Sequence, residues 1–477
     1  MNQKDDKKSR GKPKIGQAAS TELERKLNLH AAGIDVGSEE HWVCVPSDHA
    51  DTPVRKFGAF TVDLEAAANW LVECGITTVA MESTGSYWIP LYDVLEAHGL
   101  VVVLTNTHNV KYAPRRKTDM LDCQWIQYLH SIGMLSASFR PDVEIRALRT
   151  FLRHRDNLTR DAATHVQRVQ KALIEMNVLL HNVISDITGV SGRRILDAIL
   201  VGERNPDVLA GLAHARIQAS SEEIANALQG HWQEEPIFVI RQSLAAYDHF
   251  HSLIDACDVE IEKKLAALAP FERPPVAAVS DSGAASTTPP VASQGIKKPR
   301  RKPTKNTPKK DLLPHLVSAA GVDLTEIPGI EVVVFLILIS EIGRDVSKWR
   351  NAKAFASWLD LAPKPQISGG RTIGHAQRRY SNRAARALRM AAQSASRSNT
   401  YLGAYYRRLK SRLGPRHAMK ALAHKLALLV YHMLRTGQSY RQIGCEEYEA
   451  RFRERAVNNL VRRAKELGFQ VSPVLPA

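Results

Sequence analysis

Three things are scarce in this chain of 477 residues, and each scarcity excludes something. There are five cysteines (Cys44, Cys74, Cys123, Cys257 and Cys445), scattered and without a CxxC pair. That argues against a disulfide framework and against structural zinc. No apolar run reaches the length of a membrane-spanning helix, and the N-terminus is polar rather than a signal peptide. The expectation is a cytosolic, nucleoid-associated protein with no membrane partner. Acid is missing from one long stretch: Leu361 to Cys445 holds 17 Lys and Arg and no Asp or Glu, more than the net charge of +16 carried by the whole chain. A solvated helix face mixes signs, so a stretch of this length without an acid is an electrostatic footprint for phosphates. With a pI near 9.6, nucleic acid is the first expectation for a partner and an acidic membrane surface the second.

Where acids do occur, they form a pattern. Gly33-Ile34-Asp35-Val36-Gly37 reads as an apolar, glycine-bounded strand with one carboxylate. Glu82 follows Thr78-Val79-Ala80-Met81, an apolar run too short for a helix. Lys117-Thr118-Asp119-Met120-Leu121-Asp122 opens a helical pattern, with Thr118 as the expected N-cap and the two acids on one face. Any one of these carboxylates alone is a cap or a surface residue. Together, four acids from two strands and one helix make a cage suited to Mg²⁺, which takes oxygen ligands. Two such ions about 3.5–4 Å apart would clamp the attacking and leaving oxygens of a phosphodiester. Arg115, Arg116 and Lys117 are placed to touch backbone phosphate.

Residues 1–28 read as a disordered basic tail, and 29–140 as alternating strands and helices, hence a sheet with parallel pairs. Residues 141–270 are helical. Apolar residues from Ile145 to Val183 keep a spacing of three to four, and a second run from Leu244 to Leu268 could pack back on it. This predicts a long coiled-coil arm with a small helical tip between Ser191 and Trp232; dimerisation, a grip on nucleic acid and an intramolecular hairpin remain open. Residues 271–310, with Lys297-Lys298-Pro299-Arg300-Arg301-Lys302, read as a disordered basic linker. Residues 311–445 read as a second, helical domain in which Ile327-Pro328-Gly329-Ile330 resembles the turn of a helix-hairpin-helix, with the backbone at Gly329 facing a DNA phosphate. Residues 446–477 form a tail helix.

The second candidate site is Ser368-Gly369-Gly370-Arg371. Two glycines let a backbone approach phosphate closely, and Arg371, Arg378 and Arg379 could neutralise it. From chemistry alone this reads more readily as a flexible loop. Ser381 and the tyrosines are rival nucleophiles, although Ser381 also suits a helix N-cap.

These motifs, in order along nearly the whole chain, resemble the transposases of the one-ten insertion-sequence family, the DEDD recombinases that use a bridge RNA. The resemblance rests on Gly-Ile-Asp35-Val, Met-Glu82-Ser-Thr-Gly-Ser-Tyr-Trp, Lys-Thr-Asp119-x-x-Asp122, Ile-Pro-Gly-Ile, Trp358-Leu-Asp-Leu-Ala-Pro363 and Ser368-Gly-Gly-Arg371. It implies an RNase-H/RuvC-like α/β domain that binds Mg²⁺, or Mn²⁺, through Asp35, Glu82, Asp119 and Asp122. It implies a mostly helical transposase domain whose serine, Ser368, links covalently to DNA. The implied partners are double-stranded DNA at the element ends and target, a structured guide RNA, and further copies of the chain in a bacterial dimer or tetramer. The implied reaction is excision of the element as a circle and its insertion elsewhere. The competing readings are a RuvC-like junction resolvase or metal-dependent nuclease that forms no covalent intermediate, a non-catalytic nucleic-acid-binding protein, and a sugar-kinase-like ATPase, for which no second phosphate loop is found.

Overall fold

Alternation of apolar residues in the first 105 positions builds a five-stranded sheet. The computed structural model describes residues 27–83, 85–105, 119–273, 306–363, 365–375, 382–440 and 445–472. The chain divides into two compact units, 1–140 and 141–477.

In the first unit the strands are β1 (Ala31–Val36), β2 (Glu40–Cys44), β3 (Val54–Gly58), β4 (Thr78–Glu82) and β5 (Val101–Thr105), in the order β3-β2-β1-β4-β5. The first three form an antiparallel meander, and β4 and β5 run parallel to β1. The stretch from Ile34 to Pro46, which alternates like a single strand of a hairpin, is divided between two strands, β1 and β2. They meet at Gly37, whose N–H donates to the Glu40 carbonyl and where a Cβ would lie 2.5 Å from that oxygen. One face of the sheet (Ala32, Ile34, Val36, Val79, Met81, Leu104) is buried under α1 (Thr61–Glu73) and α2 (Trp88–Ala97), through Leu64, Leu71, Leu91 and Leu95. The other face is covered by α3 (Asp119–Ser131). Residues 106–118, including the expected N-cap Thr118, lie outside the described residues.

Two buried histidines give this unit a pH dependence. His41 and His130 are 2% and 4% exposed, and burial pushes both pKa values below the usual one. A histidine held neutral in the fold costs nothing above its unfolded pKa of about 6.5; below it the unfolded chain takes up the proton first, so stability falls as pH falls. Urea-unfolding midpoints are expected to drop between about pH 7 and pH 5, and the slope to flatten in His130→Gln.

Among the described residues the second unit is helical apart from one hairpin. Helices α4 (Val143–Glu175) and α9 (Glu234–Ala266), each 33 residues and so about 50 Å long, pack against each other within the chain. The order of their contacts is antiparallel. Leu152 shares a cluster with Ile261, Leu158 packs with Ile254 and Cys257, the His165 ring meets Phe250, and Val169 and Leu173 share a cluster with Ile240 and Leu244. The periodic run read as a coiled coil is therefore an intramolecular helical hairpin. Four short helices, α5 (Leu180–Val183), α6 (Val190–Leu200), α7 (Pro206–Gly211) and α8 (Ser221–Ala227), close its tip around Leu196, Ile199, Leu209 and Leu228.

At the other end of the hairpin, Ile145, Leu148, Leu265 and Leu268 enter the largest core together with α10 (Leu313–Ala320), α11 (Val332–Ile342), α12 (Ala352–Trp358), α13 (Arg383–Ser396) and α14 (Tyr401–Thr436). Helix α14 is broken at Gly414, whose backbone leaves the helical region just before Pro415. Arg273 donates to the Ala320 and Leu434 carbonyls at the ends of α10 and α14. A cation there satisfies orphan carbonyls and opposes both helix dipoles. Residues 274–305, most of the expected basic linker, lie outside the described residues. The last helix, α15 (Cys445–Glu466), follows α14.

Candidate active site

The register of the sheet places the first two acids. Strand β1 pairs with β4 so that Gly33 meets Ala80 and Ile34 meets Met81. The next step sets Asp35 beside Glu82, on neighbouring strands about 4.8 Å apart. Alternation puts both on the face of Gly33 and Ala80, away from the main core of the unit. Both are partly buried.

Helix α3 brings the other two. Its C-terminal part is tied to the strand starts: Gln127 Nε2 donates to the Ala31 carbonyl, the His130 ring bonds Thr78 Oγ1 at 2.9 Å, and the Leu27 N–H donates to Ser131 O. The helix therefore runs opposite to β1. Its first turn, with Asp119 and Asp122, lies toward the strand ends that carry Asp35 and Glu82. Acids in that turn oppose the helix dipole favourably. Gly33 permits the close approach: a Cβ there would lie 2.2 Å from Gln127 N and 2.5 Å from Cys123 O. At the buried Cys123 thiol on this helix, a hydrogen bond to Cys44, burial and the charge of Asp35 all push the pKa up, so it stays protonated.

The four predicted carboxylates thus lie toward one end of the sheet and of the helix that covers it. Among the described residues, no group of three or more His, Cys, Asp or Glu stands close enough to hold a metal ion. Asp119 is exposed while Asp122 is partly buried, and both carboxylates start the helix immediately after residues outside the description. The donors nevertheless fit a hard divalent cation in kind, being carboxylate oxygens. The fully buried Thr105 Oγ1, level with Glu82 on β5, has no hydrogen-bond partner among the described residues. Arg115, Arg116 and Lys117 lie outside the described residues.

Ser368 belongs to the second unit. It ends β6 (Pro365–Ser368) and pairs with Arg371 at the start of β7 (Arg371–His375). Gly369 and Gly370 have φ of 55° and 76°, the two positive values that a two-residue type I′ turn demands. What the sequence allowed as a flexible loop, inside a domain expected to be helical, is a β-hairpin. Ser368, Gly369, Gly370 and Arg371 are all exposed at its tip. The signal was present: Gly-Gly between Gln-Ile and Thr-Ile is a hairpin pattern. Arg378, Arg379 and Ser381 lie outside the described residues.

The Ile327-Pro328-Gly329-Ile330 turn links a single 3-10 turn (Leu324–Glu326) to α11, and a full helix does not precede it directly. Gly329 has φ 92°, and a Cβ there would lie 2.3 Å from Ala391 O. Packing on α13 thus accounts for this glycine. Trp358-Leu359-Asp360-Leu361 ends α12: Asp360 takes a left-handed φ of 57°, with Asp360 N bonding Ser357 O and Leu361 N bonding Ala356 O.

Two stretches of the chain match known families. Residues 32–178 match a transposase family model named for DEDD and IS110, and residues 323–407 match the transposase IS116/IS110/IS902 family. The chain belongs to the IS110 family of transposases. It is accordingly a DNA transposase. Asp35, Glu82, Asp119 and Asp122 fall within the first matched stretch, and Gly329, Ser368 and Arg371 within the second. No curated protein matches the chain. Among the described residues, no helix is long and apolar enough to cross a membrane.

Proposed function

We propose that this IS110 transposase excises and inserts its element through two sites. One is a carboxylate site of Asp35, Glu82, Asp119 and Asp122; the other is a serine nucleophile, Ser368. The observation that carries the reading is the register that sets Asp35 level with Glu82, beneath a helix whose first turn bears the other two acids. The strand order, with an antiparallel meander followed by two parallel strands, is consistent with an RNase-H-like domain.

Mg²⁺ or Mn²⁺ held by these four residues would polarise a phosphodiester oxygen. The protein's own groups supply the rest. Asp35 and Glu82 fix a pair of donors on rigid strands. Ser368, on a turn with no side chain at the next two positions, can reach a backbone phosphate and form a phosphoserine link, its Oγ–P bond replacing the P–O bond to one deoxyribose, whose departing oxygen leaves as a hydroxyl with the proton the serine gives up. Arg371, its cross-strand neighbour, can neutralise that phosphate. The acid-free stretch from Leu361 to Cys445 supplies sequence-independent attraction to DNA. A structured RNA as the guide, and a dimer or tetramer as the working form, complete this reading.

The test places the gene with its native flanking DNA in a cell and scores circular junctions. Wild type and Ser381→Ala are expected to form circles, and Asp35→Ala and Ser368→Ala to form none. Circles from Ser368→Ala but not from Asp35→Ala would replace the serine mechanism by a metal-nuclease one, which leaves no covalent protein–DNA adduct.

A further inference from the structure

The sheet register extends the acidic site sideways. Asp35 pairs with Trp42 on β2, Trp42 with Lys56 on β3, and Glu82 with Thr105 on β5. Lys56, Trp42, Asp35, Glu82 and Thr105 therefore form one transverse row, on one face, at one level. Directly paired residues point to the same side. Two steps across the sheet, about 10 Å, separate Lys56 from Asp35.

The row changes character along its length. Its centre is acidic, one end holds the buried Thr105, and the other end is an aromatic ring followed by a cation. Trp42 is partly exposed. The Lys56 ammonium stands 6.0 Å from its ring centroid, and the lysine side chain is 53% exposed. Trp42 Nε1 donates to Glu40 Oε1 at 3.2 Å, and Glu40 Oε2 holds Lys56 Nζ at 2.8 Å. The indole is thus fixed in place by its own N–H. A strand interior has no folding need for a partly exposed tryptophan under a lysine. An aromatic face followed by a cation is the pairing by which proteins hold single-stranded nucleic acid.

We propose that Trp42 and Lys56 form a docking platform for the single DNA strand beside the bond being broken, the indole stacking on a base and the ammonium taking the adjacent phosphate. The proposal rests on reading Asp35 and Glu82 as the cutting site. It assigns a direction to the DNA, across the strands from Asp35 toward β3. Glu40 opposes it, being an acid on the lysine that the phosphate must use. That ion pair is exposed and screened by solvent, hence weak, so a phosphate can displace it. Glu40 thereby becomes a brake on the platform.

The experiment measures binding of the full chain to dye-labelled oligodeoxythymidylate in EDTA, which separates binding from cutting. Trp42→Ala is expected to weaken binding about 5- to 150-fold, the range of one lost base stack, with Trp42→Tyr recovering most of it. Lys56→Gln is expected to reduce the slope of log affinity against log salt by about 0.7, one phosphate contact on a single strand. Glu40→Gln is expected to raise affinity, and to do nothing once Lys56 is Gln. With 5-iodouracil in the oligonucleotide, the photo-crosslink is expected on Trp42. Unchanged affinity and salt slope in Lys56→Gln and Glu40→Gln, with no adduct on Trp42, would overturn the platform; both substitutions are on exposed side chains and spare the fold. A larger loss on oligouridylate than on oligothymidylate would overturn the assignment to DNA. Failure of the cutting-site reading shows elsewhere, as circles persisting in Asp35→Ala.

Discussion

Replacing Gly33 with alanine is expected to cost about 1–3 kcal/mol of stability, the usual penalty for overpacking, and to abolish circle formation with it. The methyl group would sit 2.2 Å from Gln127 N, 2.5 Å from Cys123 O and 2.7 Å from Gln127 Cα. All three are backbone atoms of α3, so no rotamer change relieves the clash; the helix has to lift from the sheet. Asp119 and Asp122 ride on that helix, two turns or less from the contact. A shift on the order of an ångström at a site built from fixed groups removes most of its rate. The check is a pair of measurements on one variant, the urea-unfolding midpoint and the yield of circular junctions. Gly211→Ala is the control: nothing lies within 4 Å of a Cβ there and its φ is not positive, so stability should move by less than about 0.5 kcal/mol. Full circle formation by a stable Gly33→Ala would show that the position of α3 does not matter to the chemistry.

That close contact was only half legible in the sequence. Gly33-Ile34-Asp35 reads as a strand bearing a carboxylate because apolar residues flank the acid, and Asp119-x-x-Asp122 reads as one helix face because of its spacing. Neither says which residues become neighbours. Register is a property of pairing, and the level placing of Asp35, Glu82, Trp42 and Lys56 exists only once β3, β2, β1 and β4 are hydrogen-bonded in their actual offset. Strand β3 (Val-Arg-Lys-Phe-Gly) gave little warning: it is an edge strand with two adjacent basic residues and a weak alternation. The β6–β7 hairpin was hidden differently. Its Gly-Gly signal sits in an arginine- and alanine-rich region dominated by helical periodicity, and four of its strand residues, Pro365 to Ser368, are all exposed, so no buried face marks it. The arm was legible as two periodic runs; that they pair with each other follows from their common length of 33 residues and the short tip helices between them.

Within that arm the largest loss of stability is expected from Asp258→Ala. Arg155 and Asp258 form a bidentate pair midway along the seam of α4 and α9, Nε to Oδ1 at 2.5 Å and a second guanidinium nitrogen to Oδ2 at 3.2 Å. Their side chains are 5% and 3% exposed. Removing one partner strands a buried charge, which costs about 3–5 kcal/mol, whereas replacing both by apolar residues of similar volume is often neutral or stabilising. Asp258→Ala should therefore lower the unfolding free energy by that amount, and Arg155→Met with Asp258→Leu should recover it. The pair sits between apolar contacts that tolerate sliding, Leu152 with Ile261 on one side and Leu158 with Ile254 and Cys257 on the other. A charge pair tolerates none, and so sets the register of two long helices. Register matters at the base of the arm. There Arg153 forks onto Glu341 of α11 at 3.0 and 2.9 Å, Arg149 donates to the Ser340 and Glu341 carbonyls, and Asp156 accepts from Arg383 at the start of α13. Burial brings Arg149 down to about 10 against the pull of Glu341, so it stays charged at neutral pH. The apolar double variant, stable but without its register pin, is expected to exchange its amide protons faster along α9 than wild type does. Equal exchange in the two proteins would reduce the pair to a satisfied burial with no positional role.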